Sequence, residues 1–385
     1  MKKNIRAYES DFADVFKAGD AFSFWKGRVA MYAILKSLGV GEGDEVILPG
    51  YTCVMDVTPV KYLGAAPVYV DIEPFTYNMN LDLLADKITE RTKVIVAQHT
   101  YGYLVDMDRL LEIADRRGVF VIEDCCLALG SKYRGKLAGT FGVASYFSSQ
   151  WNKPYTTGLG GMALCNTPEI ASKINQLRKT EIQGPSLKRV AMLTAQLMVY
   201  RAFVYPKTTV FATNTFRWLS DKGLIVGSTT NRELEIPVEP EGFFMAMSSP
   251  QAFAGRKQLR KLDRIIQHRK KMTKFYDEML AQRGWRIIQP PDHTDPVFVR
   301  YPVRVKDKDA ALKAAEKNGI ELGSWFISPL HNQIEKIEMY DYKWGLCPQA
   351  EKAAREVVNL PVHPRVNLAN ARKVIDFICK FEQAK

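Results

Sequence analysis

Three short segments in the first half of the chain contain residues whose types and spacing suggest covalent chemistry on an amine or a carbonyl. Gly27 opens a predicted helix, where free amide donors and the helix dipole favour a bound phosphate. Asp124 ends a predicted strand, and a carboxylate can keep a pyridine nitrogen protonated. Lys153, five residues after Ser148, could form a Schiff base. Together these groups indicate an enzyme that uses pyridoxal 5'-phosphate.

Each segment also has a simpler structural explanation. An aspartate at a strand end is often a helix cap, and a lysine in a loop is usually only solvated. The glycines that follow Lys153, at 158, 160 and 161, are also typical of a turn. The chemical interpretation therefore depends on whether the three segments lie together in the fold.

The predicted elements around these segments explain how they could meet. Helices are predicted at 29–38 and 107–117, and strands at 45–49, 66–72, 93–97 and 119–124. Such alternation predicts an α/β fold with a mostly parallel sheet covered by helices. In open sheets of this class the ligand crevice lies at the carboxyl ends of the strands, where Asp124 is placed.

The second half of the chain has a different pattern. A helical insertion is predicted near 183–225, where strand signals are few. We predict a large domain at 1–250 and a smaller C-terminal α+β domain at 251–385. The smaller domain includes a basic connecting helix at 250–283, a strand at 297–305 and helices at 310–318 and 368–381.

The insertion contains one notable apolar segment, 190–205, which is too short to span a bilayer. A helix that is apolar nearly all round is buried in a core, packed in a dimer interface or seated on a membrane surface. We expect it to cover the active site or a dimer partner, and we favour membrane contact less.

Composition excludes several classes of protein. Of the 385 residues, 46% are hydrophobic and 25% charged, which excludes a disordered or fibrous chain. The longest uncharged stretch, 137–152, is shorter than a spanning helix. The N-terminus has no apolar run after its basic residues, so we expect no secretory signal and a cytoplasmic location. The six cysteines and five histidines show no metal-binding or disulfide spacing, so we expect no metal.

The net charge of +12 raises the question of nucleic acid binding. Nine lysines and arginines lie between Arg256 and Lys274, against Asp263 alone. The spacing of the apolar residues predicts an amphipathic helix with a basic outer face. A solvated face or a site for an anionic small molecule explains this segment better than nucleic acid does.

From about Gly27 to the C-terminus the sequence resembles the DegT/StrS-type pyridoxal phosphate enzymes, the sugar aminotransferases. The resemblance is carried by ten blocks in order. They include Gly41-Glu-Gly-Asp-Glu-Val-Ile-Leu-Pro-Gly-Tyr-Thr52, Leu63-Gly-Ala-Ala-Pro-Val-Tyr-Val-Asp-Ile72, His99-Thr-Tyr-Gly102, Val121-Ile-Glu-Asp124, Gly139-Thr-Phe-Gly142, Gln258-Leu-Arg-Lys-Leu-Asp263, Pro329-Leu-His331 and Leu360-Pro-Val-His-Pro364.

The resemblance implies the aspartate aminotransferase fold, used as a homodimer with active sites at the subunit interface. It implies that Lys153 forms the internal aldimine and shuttles protons, and that Asp124 pairs with the ring nitrogen. Ser148 would bind the cofactor phosphate together with the backbone of Gly27 and Arg28. The usual reaction moves an amino group from glutamate to a nucleotide-linked keto sugar.

Several positions depart from the family pattern. Lys26-Gly-Arg28 replaces Ser-Gly-Thr, so Arg28 could contact the phosphate directly. Cys53 occupies a cofactor-stacking position that is often aromatic, and Leu127 replaces a glutamine near the ring oxygen. Phe244-Met-Ala-Met247 replaces an Asn-Tyr-Arg-Met block that the family contributes across the dimer. His331, in the Pro-Leu-His block, is a candidate for substrate contact.

Three alternatives stay open. The first is a dehydratase of the same family, which the retained Lys153 argues against because those enzymes replace the lysine. The second is a family enzyme that acts on a carbonyl substrate other than a sugar. The third is a degenerate binding or membrane-associated protein without cofactor. The departures at Cys53, Leu127 and Phe244 favour it, and the intact Lys153, Asp124 and Ser148 oppose it.

Overall fold

In a computed structural model, the described residues are 2–17, 19–203 and 237–384, with Thr215, Ile225, Gly227 and Glu233. The helices are α1 Lys2–Phe16, α2 Gly27–Ser37, α3 Val54–Tyr62, α4 Met107–Arg117, α5 Pro168–Thr180, α6 Leu187–Phe203, α7 Ser249–Leu259, α8 Leu262–Ala281, α9 Lys308–Lys317, α10 Pro348–Glu356 and α11 Leu368–Ile378. The strands are β1 Asp20–Phe24, β2 Glu45–Pro49, β3 Thr52–Cys53, β4 Ala66–Val70, β5 Thr92–Gln98, β6 Phe120–Asp124, β7 Lys132–Tyr133, β8 Lys136–Leu137, β9 Ala144–Ser148, β10 Gly161–Cys165, β11 Thr294–Asp295, β12 Arg300–Arg304, β13 Leu330–His331 and β14 Val357–Pro361.

The large sheet has seven strands in the order β1-β10-β9-β6-β5-β2-β4. Strands β4, β2, β5, β6 and β9 are parallel, and β10 is antiparallel to both β9 and β1. Val46 and Leu48 of β2 belong to one core cluster, whereas Ile47 belongs to another. Since alternate side chains of a strand face opposite sides of a sheet, both faces are covered. The predicted α/β fold with a mostly parallel sheet is confirmed.

Local sequence signals determine where individual elements begin and end. The Asp106 side chain accepts a hydrogen bond from the Arg109 amide at 3.2 Å and caps α4. The helix ends where Gly118 adopts the left-handed conformation, with φ of 64°. The predicted helix at 107–117 and the predicted strand at 45–49 therefore have the predicted bounds.

The basic segment is not a single helix. The prediction of one helix at 250–283 is wrong, because α7 ends at Leu259 and α8 begins at Leu262. Arg269, which the sequence places on the basic outer face, is buried in α8. Its guanidinium donates to the carbonyl oxygens of Phe298 and Val299 at 3.1 and 2.8 Å. One of the nine basic residues thus makes a buried structural contact between α8 and the segment before β12.

The C-terminal region contacts the segment after β2 through a separate two-stranded sheet. β12 and β14 pair antiparallel, and α11 packs against α8. β13 pairs parallel with β3, which places Leu330 beside Thr52 and His331 beside Cys53. This pairing brings residues from the end of the chain to the loop that follows β2.

The apolar segment of the insertion begins as a helix, α6, which is partly buried. Leu193 and Leu197 lie inside, and Leu193 packs with Trp25 and Leu159. Met198 and Val199 are 62% and 56% exposed. The remainder of the predicted segment, 204–205, lies outside the described residues. Within the described part of the chain, no helix is long and apolar enough to cross a membrane.

Candidate active site

Asp124 lies at the carboxyl end of β6, between the parallel strands β5 and β9. Its side chain is 3% exposed, and Oδ1 accepts a hydrogen bond from the Cys126 amide at 2.8 Å. The carboxylate therefore caps the turn that follows β6, which is the simpler role considered from the sequence. One cap bond does not exhaust a carboxylate, because its two oxygens together accept about four hydrogen bonds.

Lys153 lies in the loop between β9 and β10 and is half-buried. Its Nζ is 5.0 Å from the ring centroid of Trp325, a residue of the C-terminal region. The next residue, Pro154, accepts a hydrogen bond on its carbonyl oxygen from Arg269 Nη2 at 3.2 Å. Helix α8 thus fixes the loop that carries Lys153, a role for Arg269 that the sequence alone does not indicate.

The first turn of α2 forms a cradle suited to an anion. A Cβ placed on Gly27 would lie 2.9 Å from Ser148 Cβ and 3.2 Å from Ser148 Oγ. Only glycine allows this approach, which brings the Ser148 hydroxyl to the start of the helix. The first turn of α2 has no acidic residue, and Lys26 provides no side-chain cap. The free amides of a buried helix start are a standard site for phosphate.

Two cations adjoin this cradle, and one carboxylate lies between them. The Arg28 guanidinium forms an ion pair with Glu233, and its Nη1 donates to Met55 Sδ at 2.9 Å. Lys26 Nζ lies 3.7 Å from Glu233 Oε1. Burial and the positive charge of Arg28 lower the pKa of Lys26 to about 7. Whether Arg28 also contacts a phosphate stays a prediction.

A second carboxyl group, Asp56 in the first turn of α3, faces the same crevice. It accepts hydrogen bonds from the Tyr146 hydroxyl at 3.2 Å and from Thr52 Oγ1 at 3.5 Å. Burial, and then the negative charge of Asp124, raise the pKa of Asp56 to about 8. Sequence reasoning missed this residue, although an acid three positions after Cys53 in an apolar stretch was a usable signal.

Cys53 and His331 are brought together by the pairing of β3 with β13. Burial and the charge of Asp56 raise the pKa of the Cys53 thiol to about 12, so the thiol is neutral. Burial and the charges of Lys308, Arg300 and Lys153 lower the pKa of His331 to about 3. Both groups therefore offer neutral surfaces to a ligand at neutral pH.

The departures at Leu127 and Phe244 are explained by packing. Leu127 is buried in the main core cluster. The Phe244 ring lies 5.9 Å from Phe24 and 5.8 Å from Tyr32, so this position contributes to the core of the same chain. Their apolar character follows from burial.

His99, Glu123 and Cys125 form a buried group whose ligand atoms lie within 4.8 Å of one another. The backbone amides of Gly139, Phe141 and Gly142 all donate to the Glu123 carboxylate. His99 Nε2 lies 3.1 Å from Glu123, and its Nδ1 accepts from the Val105 amide at 3.2 Å. These bonds use the ring nitrogens of His99 and the carboxylate of Glu123, so these two side chains have structural roles.

The residues fit pyridoxal phosphate at both ends of the crevice. The cradle of Gly27 and Ser148 suits its phosphate, and Asp124 suits its ring nitrogen. The half-buried Lys153 has no ion pair within 4.0 Å among the described residues, so its amine is available to an aldehyde. Ser148 ends β9, whose Tyr146 pairs with Asp124, and the charges of Asp124 and Lys153 both act on the pKa of Asp56. The three segments therefore adjoin, and the binding of the cofactor by them stays a prediction.

Comparison with known proteins identifies the family. Residues 1–199 and 211–379 match the DegT/DnrJ/EryC1/StrS aminotransferase family. The chain therefore belongs to this family and is an enzyme of the aminotransferase class. Members of the family depend on pyridoxal phosphate.

Relatives with known activities align over almost the whole chain. GDP-perosamine synthase from Caulobacter vibrioides is 30% identical over 378 residues, which cover 96% of this chain and 88% of that protein. UDP-2-acetamido-2-deoxy-3-oxo-D-glucuronate aminotransferase from Pseudomonas aeruginosa is 29% identical, with 96% and 88% covered. Both names describe enzymes of nucleotide sugars.

A solved structure supports the same assignment of fold. The crystal structure of S. venezuelae DesV in complex with a ketimine intermediate matches with a TM-score of 0.77 and 26% identity. The alignment covers 98% of this chain and 88% of that one. The predicted aminotransferase fold is thereby confirmed.

Proposed function

We propose that this chain is a pyridoxal phosphate-dependent aminotransferase that moves an amino group from glutamate to a nucleotide-linked keto sugar. The observation that supports the proposal is that the Gly27–Ser148 cradle lies at the end of β9, next to the strand that ends in Asp124, and that Asp124 and Lys153 both act on the pKa of Asp56. We infer that Lys153 holds the cofactor and Asp124 its ring nitrogen, with Ser148, Gly27 and Arg28 around the phosphate.

The roles of the residues follow from their environments. When bound, pyridoxal phosphate supplies an electron sink for negative charge on the substrate carbon. Asp124, fixed at a strand end, holds a proton on the ring nitrogen. Lys153 Nζ moves a proton to and from the substrate. The neutral thiol of Cys53 offers the ligand an uncharged surface. His331 borders Cys53 and is proposed to contact substrate as a neutral group.

Several further properties are part of the proposal. The nucleotide sugar is supported by the relatives from Caulobacter vibrioides and Pseudomonas aeruginosa. We also propose a cytoplasmic homodimer, with a large domain at 1–250 and a smaller one at 251–385. The link from β13 to β3 would place the small domain against the crevice.

The direct test is amino transfer by the purified protein. The protein with pyridoxal phosphate should be yellow, and glutamate should discharge the colour. Addition of a GDP- or UDP-linked keto sugar should restore it and yield an amino sugar, detected by mass spectrometry. Lys153→Ala should abolish transfer, whereas Lys173→Ala, on an exposed position of α5, should not. Colourless protein that binds nucleotide sugars would instead support the degenerate binding protein.

A further inference from the structure

Arg300, the first residue of β12, lies beside the proposed cofactor lysine. Its guanidinium carbon is 4.4 Å from the ring centroid of Trp325, and Lys153 Nζ is 5.0 Å from the same centroid. The two cationic groups are therefore no more than 9.4 Å apart, the sum of these two distances. Both Arg300 and Trp325 are half-buried. Arg300 is thus close enough to contact a molecule that reacts at Lys153.

The guanidinium lies close to two neighbours, the backbone of Gly323 and the ring of Trp325. A Cβ placed on Gly323 would lie 2.5 Å from Arg300 Nη1, so a side chain there would displace the arginine. Trp325 offers a ring face to the guanidinium. Stacking on an aromatic ring leaves the edge of the guanidinium, with its N–H donors, free to bind an anion.

Within the described residues, the donors of Arg300 are not used by the protein. Among these residues, its Nε is buried without a hydrogen-bond partner, and none of their carboxylates lies within 4.0 Å of its nitrogens. Glu321 is the nearby acid, but its oxygens bond His363 Nε2 at 2.9 and 3.1 Å. A half-buried arginine without a protein acceptor is costly unless a ligand supplies one.

We propose that Arg300 binds the α-carboxylate of the amino donor, an inference that rests on the proposed function. In an α-amino acid the carboxyl carbon lies about 2.5 Å from the amino nitrogen, and a bidentate ion pair adds about 4 Å. A guanidinium roughly 6 to 7 Å from the donor's amino nitrogen is thus expected. In amino transfer that nitrogen takes the place of Lys153 Nζ, which lies within 9.4 Å of the Arg300 guanidinium, the sum of the two distances to Trp325. The diphosphate of a nucleotide sugar is separated from the reacting carbon by more bonds, so the distance favours the α-carboxylate as the anion that Arg300 binds.

The experiment compares Arg300→Gln with Arg286→Gln as a matched control. Arg286 also stacks on an aromatic ring, Phe75 at 4.3 Å, but at the protein surface. Arg300→Gln should raise KM for glutamate about 10- to 100-fold, the range for a lost hydrogen bond to a charged group, and change KM for the keto sugar less than about twofold. The KM of Arg300→Lys for glutamate should lie between those of the wild type and Arg300→Gln, because lysine keeps the charge without the bidentate geometry. Arg286→Gln should match the wild type.

A second readout does not depend on turnover. Glutarate, which lacks the amino group, should bind the wild-type holoenzyme in calorimetry and bind Arg300→Gln at least about tenfold more weakly. Unchanged glutarate affinity, or a rise in KM confined to the sugar, would overturn the assignment of Arg300. If the wild-type enzyme transfers no amino group, the proposed function fails, and the glutarate comparison still decides whether Arg300 binds a carboxylate. Equal thermal stability of the variants excludes misfolding.

Discussion

The Tyr146 hydroxyl donates a hydrogen bond to Asp56 Oδ1 at 3.2 Å. The backbone of the same tyrosine is in register with Asp124 across β6 and β9. Tyr146 therefore stands between two acids that face one crevice. Because burial and the charge of Asp124 raise the pKa of Asp56 to about 8, Asp56 is mostly protonated at neutral pH.

This arrangement predicts a pH-dependent stability of the cofactor-free protein. An acid with a raised pKa in the folded state binds its proton more tightly there than in the unfolded chain. Its stabilisation is complete below the ordinary pKa of 3.8 and is lost as pH rises through about 8. Between about pH 5 and pH 8, an interval that lies between the two pKa values, Tm should fall less in Asp56→Asn than in the wild type.

The matched control is Asp86→Asn, because Asp86 is exposed. It should leave the difference in Tm between the two pH values unchanged. If Asp56→Asn shows the same pH dependence as the wild type, Asp56 is already ionised in the folded protein. Its placement as a protonated partner of Asp124 would then be wrong.

Asp124→Asn separates the catalytic role from the structural cap. Asparagine keeps an oxygen that can accept from the Cys126 amide, so the turn should persist. It removes the negative charge, and we expect kcat to fall by roughly 100-fold or more, comparable to the loss of other electrostatic groups. Stopped-flow measurement of the glutamate half-reaction checks this. Near-normal kcat would show that capping is the only role of Asp124.

Arg28→Thr tests the contribution of the guanidinium to cofactor binding. We expect affinity for pyridoxal phosphate to weaken by about 1 to 3 kcal/mol, the range for hydrogen bonds to charged groups. Glu233→Gln should strengthen the affinity for pyridoxal phosphate, because it removes the negative charge beside Arg28 and Lys26. Equilibrium titration followed by absorbance gives both values. Unchanged affinity in Arg28→Thr would mean that Arg28 serves only Glu233.

Liposome co-sedimentation tests the apolar segment of the insertion. We predict that the protein stays in the supernatant with anionic vesicles, because Leu193 and Leu197 already pack inside. Their replacement would disturb the core, so Met198→Ser with Val199→Ser is the informative variant. Salt-sensitive pelleting of the wild type that this folded variant loses would establish a membrane-binding surface.

The sequence predicts local structure best where caps and periodicity agree. Helix α4 has an aspartate cap and a glycine stop, and its bounds are as predicted. The break between α7 and α8 has neither glycine nor proline at Arg260 and Lys261, so no local signal indicates it. A pattern of charges also does not reveal that Arg269 turns inward, since its acceptors lie in distant segments.

The same limit applies to the candidate site. Gly27, Asp124, Ser148 and Lys153 lie in motifs that can be read along the chain. The approach of Trp325 and Arg300 to Lys153 depends on the packing of two regions about 150 residues apart in the sequence and on the β3–β13 pairing. Propensity and periodicity do not contain that information, because it arises only when the chain has folded.

We infer that Lys153 carries the cofactor, and borohydride reduction of the holoenzyme tests this assignment. The purified holoenzyme is reduced with borohydride, digested and sequenced by mass spectrometry. We expect a pyridoxyl group on the peptide that contains Trp151-Asn-Lys153, and none in Lys153→Ala. Attachment to another lysine, or no attachment in a protein that still transfers amino groups, would contradict it.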